Sequence, residues 1–431
     1  MQVSVESTGA LERKMTIEVP EERIEGEIQS RLKRVAKTVK MDGFRPGKVP
    51  MSVVKQQYGA SVRADVVGEV IQSTYFEAIG QEKLQPAGMP TIEPKDLDST
   101  NGIEYVATFD VMPEVTPAPF SGVALERFKA EVSDADLDKM LETLQSQRAS
   151  WNSTKGKAKD GYRVTIDFDG TIDGEVFNGN SGKRVPVTLG GKRMIEGFEE
   201  GLVGAKAGEE LTLDLTFPED YPAKELAGKP VQFAVTVHSV EKPQLPELDD
   251  EFAKSFGVED GSLATLREEI KVNMIRELEQ RTQAMLKEQV LNKIVENNDF
   301  EIPQSLIDNE AQALLQQMQQ QMQSPAGKSV DLNPEMFTEE AKRRVQLGLV
   351  IAEIIKQNNL TADADKVRAK IDSIAATYEK PEDVVNYYYG EDQRLKEVET
   401  LVLEESVIDW AIEQADVTEV EKSYGDIMWQ G

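Results

Sequence analysis

Apolar and polar residues alternate along several stretches of the first part of the chain, and this two-residue period is typical of half-buried β-strands. The alternation covers Val3 to Val5, Met15 to Val19 and Ile103 to Phe109. Between these stretches the apolar residues follow helical spacing, at about 21–40 and again at about 51–80. The pattern therefore predicts an α+β unit.

The same alternation returns in the middle of the chain with less helix between the strands. It covers Val164 to Phe168, Leu211 to Phe217 and Val231 to Val237. Glycines between these stretches, such as Gly174 and Gly190, are typical of tight turns. We expect an antiparallel sheet with one buried face.

Long helices are predicted after residue 250. Apolar residues step by three and four positions from Leu263 to Leu278, from Val367 to Ile374 and from Leu395 to Val402. The fold class that follows is multidomain α+β, with an α+β head, a sheet domain that contains a short helix, and an all-α C-terminal body with arms.

Two proline-rich segments separate these regions, one at Pro113–Phe120 and one at Lys242–Asp250. We therefore predict a head at 1–112, a linker and helix at 113–150, a sheet domain at 151–243 and a helical domain at 244–431. The linker helix has a capping-box signature, with Ser133 followed by Asp136.

Composition narrows the possible chemistry. The chain has 431 residues, which suggests about three domains, and 49 basic against 78 acidic residues give a net charge of −29. There is no cysteine and only one histidine, so disulfides, thiolate metal sites and most nucleophile-base pairs are excluded. We expect neither a metal nor a cofactor. No apolar run approaches the roughly 18 residues of a membrane span, and we expect a cytoplasmic protein without membrane contact.

One short region reverses the overall charge. Residues 31–48 contain seven basic residues and a single acidic one, Asp42. Within it, the run from Gly43 to Pro50 contains glycines and prolines that prevent either flanking helix from continuing. Phe44, Arg45 and Lys48 would project from this turn and could bind an anionic surface. The alternative is an ordinary turn beside a solvated helix face.

The run from Gly43 to Pro50 resembles the ribosome-docking signature of the trigger factor family of bacterial chaperones. The resemblance extends to Phe300–Asp308 and to Pro246–Leu248 with the following Phe252 and Phe256-Gly257. It implies that Phe44, Arg45 and Lys48 contact the large ribosomal subunit at the exit tunnel, through a ribosomal protein and adjacent ribosomal RNA. It also implies a homodimer when the protein is free.

The segment from Leu189 to Gly201, together with Asp173-Gly174, resembles the FKBP-type peptidyl-prolyl isomerases. Asn178, Val185 and Val187 depart from the pattern of that family, which leaves inhibitor binding open. The resemblance implies an isomerase pocket lined by seven residues: Phe168, Phe177, Met194, Ile195, Phe198, Tyr221 and Phe233.

Such a pocket needs no proton-transfer pair. An X-Pro bond is held planar by resonance, with a barrier of roughly 18–20 kcal/mol, and a dry aromatic cavity favours the twisted, less dipolar amide. The alternative is that these residues are ordinary core. We expect His238 to be a surface residue, and Asp167 and Asp169 to lie on a solvated strand face rather than to act as an acid-base pair.

A third candidate site lies in the helical segment, where methionine and leucine residues share a helix face among glutamines. Flexible thioethers adapt to irregular apolar partners, which suits the capture of unfolded chains. The alternative is a stripe that packs on a neighbouring helix. The predicted client-binding residues are Leu314, Met318, Met322, Val345 and Leu349.

Together these resemblances imply an ATP-independent chaperone that docks at the ribosome, holds nascent and unfolded polypeptides and isomerises X-Pro bonds. Two alternatives stay open. One is a non-ribosomal FKBP-type isomerase whose other domains bind partners, and the other is an acidic holding chaperone with an inactive pocket.

Overall fold

The structure is a computed structural model that describes residues 1–40, 44, 49–96, 102–177, 179–221, 223–258, 260–321 and 333–429. The chain forms two compact units. The first contains Met1–Arg127 and Met285–Glu419, and the second contains Phe128–Ala284 and Val420–Gly431. No helix of the described residues is long and apolar enough to cross a membrane.

The first unit begins with a four-stranded antiparallel sheet and two helices. The sheet has the order β1-β2-β4-β3, and the helices α1 and α2 contribute Ile24, Leu32 and Val54 to a core shared with Ile17 and Tyr105 of the sheet. This confirms the predicted α+β head. The elements are β1 (Gln2–Ser7), β2 (Glu12–Pro20), α1 (Glu21–Thr38), α2 (Met51–Glu82), β3 (Thr91–Asp96) and β4 (Gly102–Asp110).

The rest of the first unit is helical, as the three- and four-residue spacing predicted, apart from strand residues at 124–127 and 416–419. Val290 and Ile294 pack with Val350 and Ile354 of a second helix and Val407 of a third. The helices are α6 (Leu263–Asn297, from residue 285 onward in this unit), α7 (Gln304–Gln321), α8 (Thr338–Asn358), α9 (Ala364–Ala375), α10 (Pro381–Tyr389) and α11 (Asp392–Gln414).

The second unit contains the predicted antiparallel sheet. Its strand order is β6-β10-β7-β8, and β9 pairs with β10. One face is buried, with Ile166, Val187, Val235 and Val237 in a core that also receives Phe198 of the short helix. The elements are β6 (Ser150–Ser153), β7 (Arg163–Thr171), β8 (Ser181–Thr188), α4 (Phe198–Leu202), β9 (Glu210–Thr216) and β10 (Pro230–Gln244).

The second unit also contains the linker helix. Its predicted capping box is present, because the Asp136 backbone N–H donates to Ser133 Oγ and the Ser133 backbone N–H donates to the Asp136 carboxylate.

Sequence analysis missed the two-stranded sheet formed by β5 and β11. The remaining elements are β5 (Ala124–Lys129), α3 (Asp134–Gln147), α5 (Asp250–Ser255), β11 (Asp416–Glu421) and α12 (Tyr424–Met428).

Candidate functional site: an aromatic pocket in the second unit

Three phenyl rings meet at the buried face of the sheet. Phe168 on β7, Phe198 at the start of α4 and Phe233 on β10 have ring centroids 5.4 to 6.1 Å apart, and every pair is edge-to-face. This is the preferred geometry of aromatic pairs, because the positive ring edge meets the negative ring face. Phe198 is fully buried, whereas Phe168 is half-buried. The three predicted residues therefore form one connected wall.

A second aromatic group continues from the first. The Phe177 ring lies 5.8 Å from the Phe217 ring, and Phe217 lies 4.7 Å from Tyr221. Phe177 and Tyr221 were predicted from the motif, but Phe217 was not. Its sequence pattern is that of an ordinary strand-end residue following Leu215, so only the packing reveals its place between the two predicted rings.

Two glycines allow these rings to approach the backbone. A Cβ atom on Gly170 would lie 2.6 Å from the Phe233 ring and 3.2 Å from Phe177, so Gly170 is where the two aromatic groups meet. A Cβ atom on Gly182 would lie 2.6 Å from the Phe168 ring. Real Cβ atoms do not approach carbon atoms this closely, and a larger residue at either position would displace a ring.

Met194 and Ile195 lie on the loop before α4 and are half-buried against the same core. Glu199 fixes this loop. Its carboxylate accepts the backbone N–H groups of Lys192 at 3.0 Å, Arg193 at 2.8 Å and Met194 at 3.2 Å, although the residue is only 5% exposed. Glu199 was not predicted as a site residue.

The Glu199 carboxylate is ionised in spite of its burial. Desolvation by itself would raise its pKa, but the hydrogen bonds from the backbone of Arg193, Lys192 and Met194 favour the charged form, and the net pKa is lowered. Three fixed backbone donors thus replace the water that would solvate the Glu199 carboxylate, and Glu199 in turn holds the loop that carries Met194.

The described residues hold no group of three or more His, Cys, Asp or Glu side chains that could bind a metal ion. Of the residues that departed from the FKBP pattern, Val185 is half-buried and Val187 is buried in the same core, and Asn178 lies outside the described residues. The chemistry available at the pocket is therefore burial, ring contact and one hydroxyl group.

Of the predicted docking residues, Phe44 is 39% exposed, and Arg45 and Lys48 lie outside the described residues. The adjacent helix α1 carries an exposed group of cations at its C-terminal end, which we call the α1 basic face. It consists of Lys33, Arg34, Lys37 and, just after the helix, Lys40.

The predicted client-binding residues fall into two classes. Leu314 is only 8% exposed and packs with Ile307 of α7 and Ala341 of α8. For this residue, the alternative of a stripe that packs on a neighbouring helix agrees with the structure. Met318, one turn further on, is 37% exposed. Val345 and Leu349 are half-buried at the border of the buried face of α8, and Met322 lies outside the described residues.

Comparisons with known proteins agree with this architecture. Residues 1–144 match the family described as bacterial trigger factor protein, residues 262–413 match the C-terminus of that family, and residues 154–238 match the FKBP-type peptidyl-prolyl cis-trans isomerases. The aromatic pocket lies within the third match. The second unit therefore contains a peptidyl-prolyl isomerase domain of the FKBP type.

Full-length relatives define the family. The trigger factor of Thioalkalivibrio sulfidiphilus is 48% identical over 428 residues, which is 99% of this chain and 98% of the relative. The trigger factor of Stutzerimonas stutzeri is 50% identical over 424 residues, which is 98% of this chain and 97% of the relative. The fold is shared with a solved structure that was described for promiscuous substrate recognition by the trigger factor chaperone. The TM-score is 0.50 at 19% identity, and the match covers 96% of this chain and 99% of that chain.

The chain belongs to the trigger factor family, the ribosome-associated chaperones that contain an FKBP-type isomerase domain. It is a molecular chaperone and a peptidyl-prolyl isomerase.

We predict that Glu199→Gln destabilises the isomerase domain by about 1–3 kcal/mol at pH 7, because an amide offers one acceptor oxygen to three buried N–H groups. The lowered pKa of Glu199 means that the carboxylate stabilises the fold above its ordinary range, near pH 4 to 5, and that this contribution is lost as the pH falls through the lower folded value. Thermal melting of parent and variant at pH 7 and pH 3 measures the difference.

The matched control is Glu200→Gln, which makes the same change at the next, exposed residue of α4. Equal melting temperatures for the parent and Glu199→Gln at pH 7, or an equal loss in Glu200→Gln, would contradict the role of the Glu199 hydrogen bonds.

Proposed function

We propose that this chaperone docks at the exit tunnel of the large ribosomal subunit through the sequence segment that contains Phe44, Arg45 and Lys48. The observation that carries the proposal is the α1 basic face next to an exposed phenylalanine, in a chain with a net charge of −29. A ribosomal surface of RNA phosphates attracts such a face, whereas the rest of an acidic chain is repelled by it.

The arrangement of α1 supports this orientation. At about 100° per residue, Lys33, Arg34 and Lys37 lie on the side of the helix opposite to the buried Ile28 and Leu32. No ion pair involves Lys33, Arg34, Lys37 or Lys40 within the described ranges. Arg31, by contrast, pairs with Glu69 at 2.9 Å. The basic face is thus available for an external anion.

We expect replacement of Phe44, Arg45 and Lys48 by alanine to weaken ribosome binding at least tenfold, because the apolar contact and two cations are lost together. Replacement of Lys33, Arg34 and Lys37 by glutamine should reduce the affinity. It should also reduce the magnitude of the slope of log K against log salt concentration by about two to three. Co-sedimentation of the full chain with ribosomes at graded salt measures both effects.

The matched control replaces Lys155, Lys157 and Lys159, three exposed lysines of the second unit, by glutamine. This variant should bind like the parent. Docking through this segment is refuted if the Phe44-Arg45-Lys48 variant co-sediments as strongly as the parent, and nonspecific charge is responsible if all variants lose equally.

We propose that the two aromatic groups form the catalytic pocket, with Phe168, Phe198 and Phe233 as one wall, Phe177 and Tyr221 as the other, and Met194 and Ile195 on the connecting loop. A proline ring that enters such a pocket brings its preceding amide out of water. The planar amide loses more favourable solvation there than the twisted amide does, so the barrier falls. The Tyr221 hydroxyl can donate to the twisted imide.

We expect Phe198→Ala to lower catalysis of proline-limited refolding at least tenfold, because it removes the ring that both other phenylalanines of the wall contact. Holding of an unfolded, proline-free protein should be unchanged. Because Phe198 is fully buried, its loss also creates a cavity that costs about 3–5 kcal/mol. Ile195→Ala, at a half-buried position, repeats the test with less damage to the core. The pocket assignment fails if neither variant slows isomerisation, or if holding is lost equally.

We propose that clients bind the partly exposed apolar residues of the helical body, namely Met318, Val345 and Leu349. Leu314 supports this face from the core, because its side chain fixes α7 against α8. A face of half-exposed apolar groups binds weakly, and the high local concentration of a nascent chain at the ribosome compensates for weak contacts.

The double substitution Met318→Gln with Leu349→Gln should weaken binding of an unfolded, proline-free protein about thirtyfold, since each of the two side chains contributes roughly 1 kcal/mol of apolar contact. Met89→Gln makes the same change at an 85% exposed methionine of the head and serves as control. Unchanged binding by the double variant, or an equal loss in the control, would contradict the assignment of the client face.

We further propose that the chain divides functionally into a docking head at 1–112, a linker and helix at 113–150, the isomerase at 151–243 and the chaperone body at 244–431. By family resemblance, the protein acts in the cytoplasm and forms a homodimer when it is not on the ribosome.

A further inference from the structure

Asp167 lies on β7 immediately before the pocket residue Phe168, at a point where the pairing with β8 is irregular. The register of the two strands shifts by one residue between Ile166 and Phe168. Lys183 and Arg184 of β8 therefore both lie opposite Asp167, which is the arrangement of a β-bulge. Arg184 has a φ of +51°, an uncommon conformation for a residue with a side chain.

A second bulge lies on β10, the other neighbour of β7. The register between β7 and β10 shifts between Val237 and Ser239, so His238 is the extra residue on β10, opposite Ile166 and Thr165. His238 is the one histidine of the chain. Asp167 thus lies on the central strand, opposite the β8 bulge and next to the residues that face the β10 bulge.

The Asp167 carboxylate contacts both bulges. Its Oδ1 accepts the backbone N–H of Arg184 at 2.6 Å, and its Oδ2 lies 2.9 Å from His238 Nε2. The pKa of Asp167 is lowered, first because of the Arg184 hydrogen bond and then because of the His238 hydrogen bond. The Asp167 carboxylate lies on a partly exposed strand face, as the sequence predicted, but the sequence did not reveal its two partners.

The β8 bulge determines which residue lies under the pocket wall. Because of the shift, Phe168 pairs with Gly182, whereas continuous pairing from Ile166 would place Lys183 opposite Phe168. Gly182 leaves room for the Phe168 ring, which a Cβ atom would approach to 2.6 Å. The ring then lies at the edge-to-face distances from Phe198 and Phe233.

We propose that Asp167 is a positioning residue of the isomerase: by bridging the bulges of β8 and β10 it holds Gly182 under Phe168 and fixes the orientation of the ring. We call these contacts the Asp167 bridge. Asp167 touches neither the substrate nor the reacting amide, and it acts through Phe168. The inference rests on the proposed pocket.

Asp169 provides a matched comparison, because it lies on the same strand and the same face two residues further on. It is exposed, and it makes no side-chain hydrogen bond or ion pair in the part of the chain that the structure describes. If any carboxylate on this face supported the pocket through charge alone, Asp169 would serve as well as Asp167.

The test uses the full chain and a proline-containing tetrapeptide. We expect Asp167→Ala to lower kcat/KM about threefold to tenfold, the equivalent of the net contribution of one ordinary hydrogen bond. The effect should lie mainly in kcat, because a misoriented ring still buries the proline. His238→Ala should show a smaller loss, and His238→Gln, which restores a donor, should recover activity. Asp169→Ala should behave like the parent.

Two readouts separate positioning from general stability. The NMR signals of the Phe168 ring should shift in Asp167→Ala, because the ring changes its position over the Phe198 and Phe233 rings, while holding of a proline-free client stays constant. Asp167→Asn retains an acceptor for the Arg184 N–H and keeps the test usable if the alanine variant unfolds.

Parental kcat/KM in both Asp167 variants would overturn the proposal, as would an equal loss in Asp169→Ala or a loss of activity with unmoved Phe168 signals. Failure of the pocket itself is distinguishable, because in that case Ile195→Ala also leaves isomerisation unchanged.

Discussion

The isomerase domain depends on the close approach of aromatic rings to bare backbone. Gly170 lies against the Phe233 and Phe177 rings and Gly182 lies against the Phe168 ring, with no space for a Cβ atom at either position. Because the rings can approach the strands closely, they meet edge-to-face and form a connected apolar surface. A reaction whose barrier is the planarity of one amide bond needs no proton-transfer pair beside such a surface.

Polar groups have a supporting place around this cavity. Glu199 holds the loop of Met194 through three backbone N–H groups, and the Asp167 carboxylate bridges two strand bulges behind Phe168. Both carboxylates have lowered pKa values, since hydrogen bonds favour their charged forms. Both carboxylates thus accept backbone N–H groups, which is the role of a structural support.

Charge is segregated in the first unit in a comparable way. The C-terminal half of α1 carries only basic charges although the chain as a whole is strongly acidic. The rest of an acidic chain repels anions, so any anion it attracts must meet a small basic surface. The basic residues of α1 lie on the side of the helix opposite its core, and the core-facing residues Ile28 and Leu32 fix that orientation.

The sequence alone determined the fold class, most helices and strands and the capping box at Ser133, because periodicity and short motifs are local properties. It did not reveal Phe217 or Glu199, the partners of Asp167 or the packing of Leu314. His238 is 71 positions from Asp167, and Ala341 lies on a different helix from Leu314. Glu199 bonds to backbone N–H groups only five to seven positions away, but these bonds form only when the loop takes its folded path. Which partners a carboxylate or a leucine finds depends on which strands, helices and loops become neighbours, and only the tertiary structure decides that.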